Sequence, residues 1–321
     1  MTAQLMTPPE QTDSGSVQAP SHVVMVRPHR FAVNPATAGD NAFQKDAGLE
    51  GADAARGAYD DATRLAEALR QEGVAVSLFE DVSAETPDSV FPNNWFTTHP
   101  DGRLVLCPMY APNRRQERRE DVVEHLRETF QVTQVLDWTA AEDHGQFLEG
   151  TGAVVIDHDQ QVAYGCRSER LTAGLFTRFC REFGLTPVLF DALDSCGRAV
   201  YHTNVMMSVG ETLAVVGSDL IPDPVERETV LGMLRASGRA VVELSEDQVR
   251  AFAANVLQVR GGLGPVLAMS TTADAALRAD QREVIGAHSR ILAVDVSTVE
   301  ASGGSVRCML AGIHLPLRTR L

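Results

Sequence analysis

The chain has 321 residues, enough for two ordinary domains or one large core. With 22% charged and 44% hydrophobic residues, its composition excludes a mostly disordered, collagen-like or coiled-coil chain. Lys and Arg number 28 against 43 Asp and Glu, and the resulting formal charge of −15 repels polyanions and argues against nucleic-acid binding.

Residues Met1 to Pro20 are rich in Pro, Ser, Thr and Gln and carry no periodic apolar residue, so a loose tail is expected there, with 21–321 forming a single domain. The start lacks the basic and apolar stretches of a secretion signal, and no apolar run approaches the roughly 20 residues that span a bilayer. The cysteines Cys107, Cys166, Cys180, Cys196 and Cys308 are odd in number and form no CxxC pair. A reducing, cytoplasmic location and no membrane partner are the expectation; a homo-oligomer is compatible with the sequence.

From His22 the chain reads as a strand, Val23 to Val26, followed after Pro28 by a long loop to about Gly57, within which Asn34 to Gln44 is long enough to form a lid. Tyr59, Ala62, Leu65, Ala66 and Leu69 then fall at helical spacing over Ala58 to Glu72, closed by Gly73 and followed by a strand, Val74 to Phe79. The same order recurs. Helices over Glu117 to Phe130, Ser168 to Phe183, Pro224 to Ser237 and Asp274 to Ser289 lead into strands Val132 to Leu136, Leu185 to Phe190, Ala240 to Leu244 and Ile291 to Val296. These five strands begin at 74, 132, 185, 240 and 291, a near-constant step that favours five repeated α/β units over an ordinary doubly wound sheet.

After each strand comes a short polar motif that fits neither core nor simple turn: Phe91-Pro92-Asn93-Asn94-Trp95, Leu148-Glu149-Gly150-Thr151-Gly152, Tyr201-His202-Thr203-Asn204, Ala254-Asn255 and Arg307-Cys308. Glu149, His202 and Cys308 each lie 17 residues beyond their strand start, Asn255 lies 15 and Asn93 lies 19. Units set around an axis would bring these residues to one mouth.

A thiol, an imidazole and a carboxylate together form a nucleophilic site, in which the thiolate attacks, the imidazole moves the proton and the carboxylate handles a second proton or orients a partner. A free thiol titrates near 8.5, so Cys308 needs a stabilising environment, for which Arg307, Gly303-Gly304-Ser305 and His202 are candidates. Each residue has a blander reading: Cys308 as a small buried hydrophobe beside Met309 and Leu310, His202 as a core histidine. Glu149, ahead of an apolar strand over Ala153 to Ile156, is harder to dismiss, because a carboxylate buried there without partners is costly. The mixed charges of Asn113 to Glu120 read as a solvated helix face. Arg260-Gly261-Gly262-Leu263-Gly264 reads as a tight turn, since the spacing and the Lys of a phosphate-binding loop are missing. No metal-ligand spacing occurs, and neither metal nor cofactor is expected.

Taken together, the five motifs, with Ala254-Asn255-Val256-Leu257-Gln258 and Gly303-Gly304-Ser305-Val306-Arg307-Cys308-Met309 in full, resemble the amidinotransferase and arginine deiminase superfamily over about Val23 to Pro316, and within it most resemble the bacterial citrulline hydrolases. The resemblance implies the pentein fold, a fivefold pseudosymmetric α/β propeller. It also implies Cys308 as nucleophile, His202 as general acid/base and Glu149 as the carboxylate at the substrate carbon. Arginine deiminases tend to carry Gly-Asp after the Leu-Glu-Gly motif and an Asp two residues after the His, where this chain has Thr151-Gly152 and Asn204. A guanidinium is a cation that needs carboxylates, whereas a neutral ureido group needs mixed donors and acceptors, which Asn supplies.

The reading is therefore hydrolysis of citrulline to ornithine, carbon dioxide and ammonia through a carbamoyl-type thioester on Cys308. Asn93, Asn94, Asn204, Asn255 and Arg307 are taken to bind this small amino-acid substrate. The alternative is a guanidine substrate, namely arginine, a methylated arginine or an amidino donor; a non-catalytic binding module ranks last, because the Cys, His and Glu are all present. Arg27, Arg114 and Arg260 are candidates by charge alone for the α-amino and α-carboxyl end.

Overall fold

The computed structural model describes residues 16–44 and 51–318. Its strands fall into five separate three-stranded sheets. Four follow one pattern: a short strand, an antiparallel neighbour, a helix, then a third strand returning parallel to the second. In the first unit the strands are Phe96–Thr98, Arg103–Leu106 and Gln134–Asp137, with helix Glu120–Thr129. The second has Val154–Asp157, Val162–Cys166 and Thr186–Phe190 with helix Ala173–Phe183. The third has Met207–Val209, Leu213–Val216 and Ala240–Glu243 with helix Pro224–Ala236. The fourth has Leu257–Gly261, Gly264–Ser270 and Arg290–Val294. In the fifth, His22–Pro28 pairs parallel with Ala75–Asp81, carries helix Gly51–Gln71, and receives the late strand Ala311–Gly312 on its other edge. An early and a late segment of the described chain thus build one sheet.

The helices form where the apolar spacing is helical and stop where the chain chemistry demands it. Leu175, Phe176, Phe179 and Cys180 make one buried face of Ala173–Phe183, and Gly184, at φ 66°, ends it in the left-handed region, donating to Arg181 and Cys180 carbonyls. Asp223 caps Pro224–Ala236 by accepting from the Val225 N–H. The single helix expected over Asp274 to Ser289 is two, Thr271–Ala276 and Ala279–His288. The break turns Leu277 into the core, and the Gln281 side chain then caps the second helix by accepting from the Arg278 N–H at 3.0 Å.

Each sequence motif proves to be the turn just ahead of a unit's first strand. Pro92–Asn94 precedes Phe96, Gly150–Ala153 precedes Val154, Thr203–Val205 precedes Met207, Asn255 precedes Leu257, and Val306–Met309 precedes Ala311. The tight, buried strands that follow offer no slack, so each polar side chain has a fixed position.

Polar struts join neighbouring units. Arg239 of the third unit lies 2.6 and 2.9 Å from the two oxygens of Asp157 in the second, and also donates to the Gly210 carbonyl. The expectation of a loose tail to Pro20 fails over its last residues, while residues 1–15 lie outside the described chain. Gln18 is buried and donates to the Ile156 and Val209 carbonyls at 3.0 and 2.8 Å, and Ala19 is buried beside it. One primary amide satisfies two strand carbonyls from two units, which composition alone cannot reveal.

Breaking the Arg239 strut leaves Asp157 charged and unpaired in a buried position. Arg239→Ala is expected to lose about 3–5 kcal/mol of stability in urea unfolding, against under about 1 kcal/mol for an exposed pair such as Arg127–Glu120.

Candidate active site

The turns meet in a cleft of about 260 Å³ whose lining includes Asp88, Phe91, Asn94, Arg114, Arg170, Tyr201, His202 and Cys308, with Thr37 and Asn41 from the loop at 34–44. At its floor is Glu149, fully buried. Its Oε1 accepts from the Tyr110 N–H at 2.9 Å, and its Oε2 lies 2.9 Å from His202 Nε2, 3.6 Å from Arg114 and 3.7 Å from Arg170. Burial works to raise the Glu149 pKa, but Arg170, His202 and Arg114 outweigh it and hold the carboxyl at about 2. Burial brings His202 down to about 4 against the opposing pull of Glu149, so the imidazole is neutral at physiological pH.

The glycines of the Leu-Glu-Gly-Thr-Gly motif are explained by this crowding. A side chain on Gly150, which has φ 45°, would strike the Asn93 carbonyl, and one on Gly152 would strike the Asn94 amide and the His202 ring. The motif is the space into which two other units' turns fit.

Cys308, 2% exposed, faces the same cleft as His202. Two amide nitrogens approach its sulfur, Asn255 Nδ2 at 3.2 Å and Asn204 Nδ2 at 3.5 Å. Seven residues of the five motifs sort by position. Cys308, His202 and Asn94 line the cleft, Glu149 lies beneath it against His202, and Asn93, Asn204 and Asn255 are buried around them. The Asn94 amide pairs donors with acceptors when its oxygen accepts from Arg114 at 3.0 and 3.1 Å and its nitrogen donates to Asn93 Oδ1 at 3.2 Å. Arg307 is not in the lining; its guanidinium donates to the Leu310 carbonyl at 2.9 Å, because successive side chains of this short turn diverge.

The stretch Asn113 to Glu120 is not a solvated face throughout. Pro112–Glu117 is a 3₁₀ turn that directs Arg114 and Glu117 inward, each 2% exposed and joined by two hydrogen bonds of 2.9 and 2.8 Å. Burial alone would lower the Arg114 pKa; Glu117, Asp88 and Glu149 more than reverse this and keep it charged. Of the arginines singled out by charge, Arg27 pairs with Glu80 at 3.0 Å and Arg260 with the Ser16 carbonyl at 3.0 Å, both away from the cleft; only Arg114 reaches it.

Sequence reasoning missed Arg170, Asp40 and Asp88. Arg170 is buried and makes a two-bonded pair with Asp40 of the 34–44 loop, at 2.7 and 2.9 Å. Asp88 accepts from Asn34 at 2.8 Å through Oδ2, while its buried Oδ1 has no partner among the described residues. Asp88 lies three residues ahead of Phe91 and was a readable extension of that motif; Arg170 sits in an irregular segment with no local signal. Among the described residues, no cluster of three or more His, Cys, Asp or Glu side chains could hold a metal ion, and no helix is long and apolar enough to cross a membrane.

The family model described as N,N dimethylarginine dimethylhydrolase, eukaryotic, matches residues 27–315, nearly the whole chain. The chain belongs to this family. It is a family of guanidino-group hydrolases, so the superfamily resemblance holds, while the citrulline-hydrolase subgroup does not follow from it. No curated protein sequence matches. Among solved structures, the chain resembles apo ArgZ, an arginine dihydrolase from the ornithine-ammonia cycle in cyanobacteria, at 15% identity and TM-score 0.72. That alignment covers 92% of this chain and 41% of ArgZ, so the chain spans about two fifths of that protein's length. It also resembles the substrate-bound N-terminal domain of ArgZ, at 14% identity and TM-score 0.67, covering 92% and 98% of the two chains. Dimethylarginine hydrolase from Pseudomonas aeruginosa, a mutant in complex with citrulline, aligns at 15% identity and TM-score 0.61, covering 91% and 98%. At these identities the likeness shows the fold alone.

Because the folded pKa of Glu149 lies below the usual 4.5, its stabilising effect is present above that pH and fades as the pH falls toward about 2. Wild type is expected to exceed Glu149→Gln by up to about 3 kcal/mol at pH 7, and urea titrations from pH 7 down to 3 should show the difference shrinking. A difference independent of pH would mean that the amide change acts through packing instead.

Proposed function

We propose that the protein hydrolyses the terminal guanidino carbon of arginine or an N-methylated arginine, with Cys308 as nucleophile. The observation that carries this reading is the single cleft in which the buried thiol faces an imidazole already held by a charge-compensated carboxylate. The Cys308 thiol gives its proton to the neutral His202 as its sulfur attacks the guanidino carbon, and the tetrahedral adduct expels ammonia or a methylated amine that takes that proton from His202. A thiouronium remains on sulfur. Water then attacks that carbon, returning a proton to His202, and the C–S bond breaks to release a ureido amino acid.

Glu149, beneath the cleft, keeps His202 oriented toward the substrate. The partnerless Oδ1 of Asp88 offers a further acceptor to substrate N–H groups, and Arg170 on the cleft wall is suited to the α-carboxylate, with Asp40 as its counter-ion in the free protein. Contacts between the first strands of successive units, and between the first and last parts of the chain, support reading the five sheets as a ring around this cleft. The guanidine substrates, the alternative in the sequence reading, have the better support from the comparisons.

Citrulline remains as a second reading because of one feature of charge. Two protein guanidinium groups already balance Glu149, and the wall at Asn94 offers an amide where a cation would favour a carboxylate. In that reading the leaving group and products are those of ureido hydrolysis, ending in ornithine, carbon dioxide and ammonia.

Purified protein assayed side by side on arginine, dimethylarginine and citrulline, following ammonia, methylamines and amino-acid products, decides between them. Amine release from a guanidine substrate is expected, and ornithine from citrulline alone would transfer the assignment to the second reading. Cys308→Ala is expected to lower turnover by at least about a thousandfold on whichever substrate is used; retained turnover would remove the nucleophile from both readings.

A further inference from the structure

Taking Cys308 as the nucleophile of the reading above, we infer that Asn204 and Asn255 are not substrate-binding groups but an amide cradle that stabilises the Cys308 thiolate. Neither amide lines the cleft, whereas both reach the sulfur that does. They lie behind the nucleophile.

The orientation of Asn255 is fixed by a group that can only accept. Its Nδ2 donates to the Asn204 backbone carbonyl at 3.0 Å, so the NH₂ end, with its second hydrogen free, faces sulfur at 3.2 Å. The consequence is that, among the described residues, Asn255 Oδ1 is left buried without a partner. An orphaned buried acceptor is destabilising, and its retention is accounted for if the other end of the amide stabilises a charge. The Asn204 amide presents both ends to the thiol: Oδ1 lies 3.8 Å from Sγ as acceptor for the S–H, and Nδ2 lies 3.5 Å away as donor to the thiolate. When the proton leaves for His202, the favourable contact passes from Oδ1 to Nδ2 with no large movement. Two N–H donors then face the anion, and charge-assisted bonds of this type favour the ionised form.

The backbone holds Asn255 in place at some cost. Phe252, fully buried, has φ 61°, a left-handed conformation unusual for so bulky a residue, and its carbonyl accepts from the Asn255 N–H at 2.9 Å. The Asn255 carbonyl in turn accepts from the Arg307 N–H at 3.2 Å, next to the nucleophile itself. Asn255 is thereby attached to the Cys308 turn through both backbone and side chain. Phe43 of the 34–44 loop packs on Phe252 with ring centroids 5.8 Å apart, so the loop at the cleft mouth bears on the same strained turn.

The test is the pH dependence of Cys308 alkylation by iodoacetamide, followed on the Cys308 peptide by mass spectrometry so that exposed Cys196 does not contribute. The probe needs only a nucleophilic thiol and no substrate. Asn255→Ala and Asn204→Ala are each expected to raise the alkylation midpoint by about one pH unit, with alkylation below the midpoint about tenfold slower, and Asn255→Asp to raise it further by placing a like charge beside the sulfur. In turnover, kcat should fall more than KM rises. Midpoints equal to wild type in folded variants, judged by circular dichroism, would overturn the cradle while leaving Cys308 as nucleophile. If alkylation of wild-type Cys308 left turnover intact, the nucleophile reading itself would fall. Should Asn255→Ala not fold, Asn204→Ala and Asn255→Ser carry the same criterion.

Discussion

The structure depends on a carboxylate that water never reaches. Glu149 stays ionised because Arg170, Arg114 and His202 converge on one of its oxygens and a backbone N–H occupies the other. Removing a carboxylate from water costs several kcal/mol, and only this set of partners offsets it. Arg114 comes from the 3₁₀ turn of the first unit, Arg170 from the second unit and His202 from the turn entering the third. The ion cluster therefore draws its members from three units of the fold. Glu117, Asp88 and Asp40 extend the cluster outward, so that each arginine also has a carboxylate of its own.

The chemistry is divided among places that look alike. Five times the chain makes a short polar turn and enters a buried strand, and each turn presents one side chain inward: an amide, a carboxylate, an imidazole, a second amide, a thiol. The sheets serve as a common socket, and the residue chosen at the turn sets the role. This division separates Glu149 and His202, which contact each other, from Asn204 and Asn255, which lie against the Cys308 sulfur.

Much of this was legible in sequence for a physical reason. Helices such as Ala173–Phe183 bury a face at regular spacing and end on a glycine, so their period and stop are written locally. The five motifs stood out because Glu149, His202 and the asparagines are polar in otherwise apolar surroundings. What escaped notice depends on distant partners. Strands of three to five residues, such as Phe96–Thr98, are too short to show a period. The Arg114–Glu117 pair resembles any surface pair until a 3₁₀ turn directs both residues inward. Gln18 in a polar tail gives no hint of the two strand carbonyls waiting for it. Asn204 and Asn255, read as substrate-binding, lie against the Cys308 sulfur, and which side of the sulfur they occupy is a matter of geometry that spacing does not encode.

The strand Ala311–Gly312 lies against Val23 and Val24, near the opposite end of the chain, and the thiol sits three residues before it. During synthesis this thiol is the last of the side chains that line the cleft to emerge, and the strand that follows its turn pairs with one made at the outset. The position of Cys308 in the cleft thus rests on a pairing between an early and a late segment of the described chain.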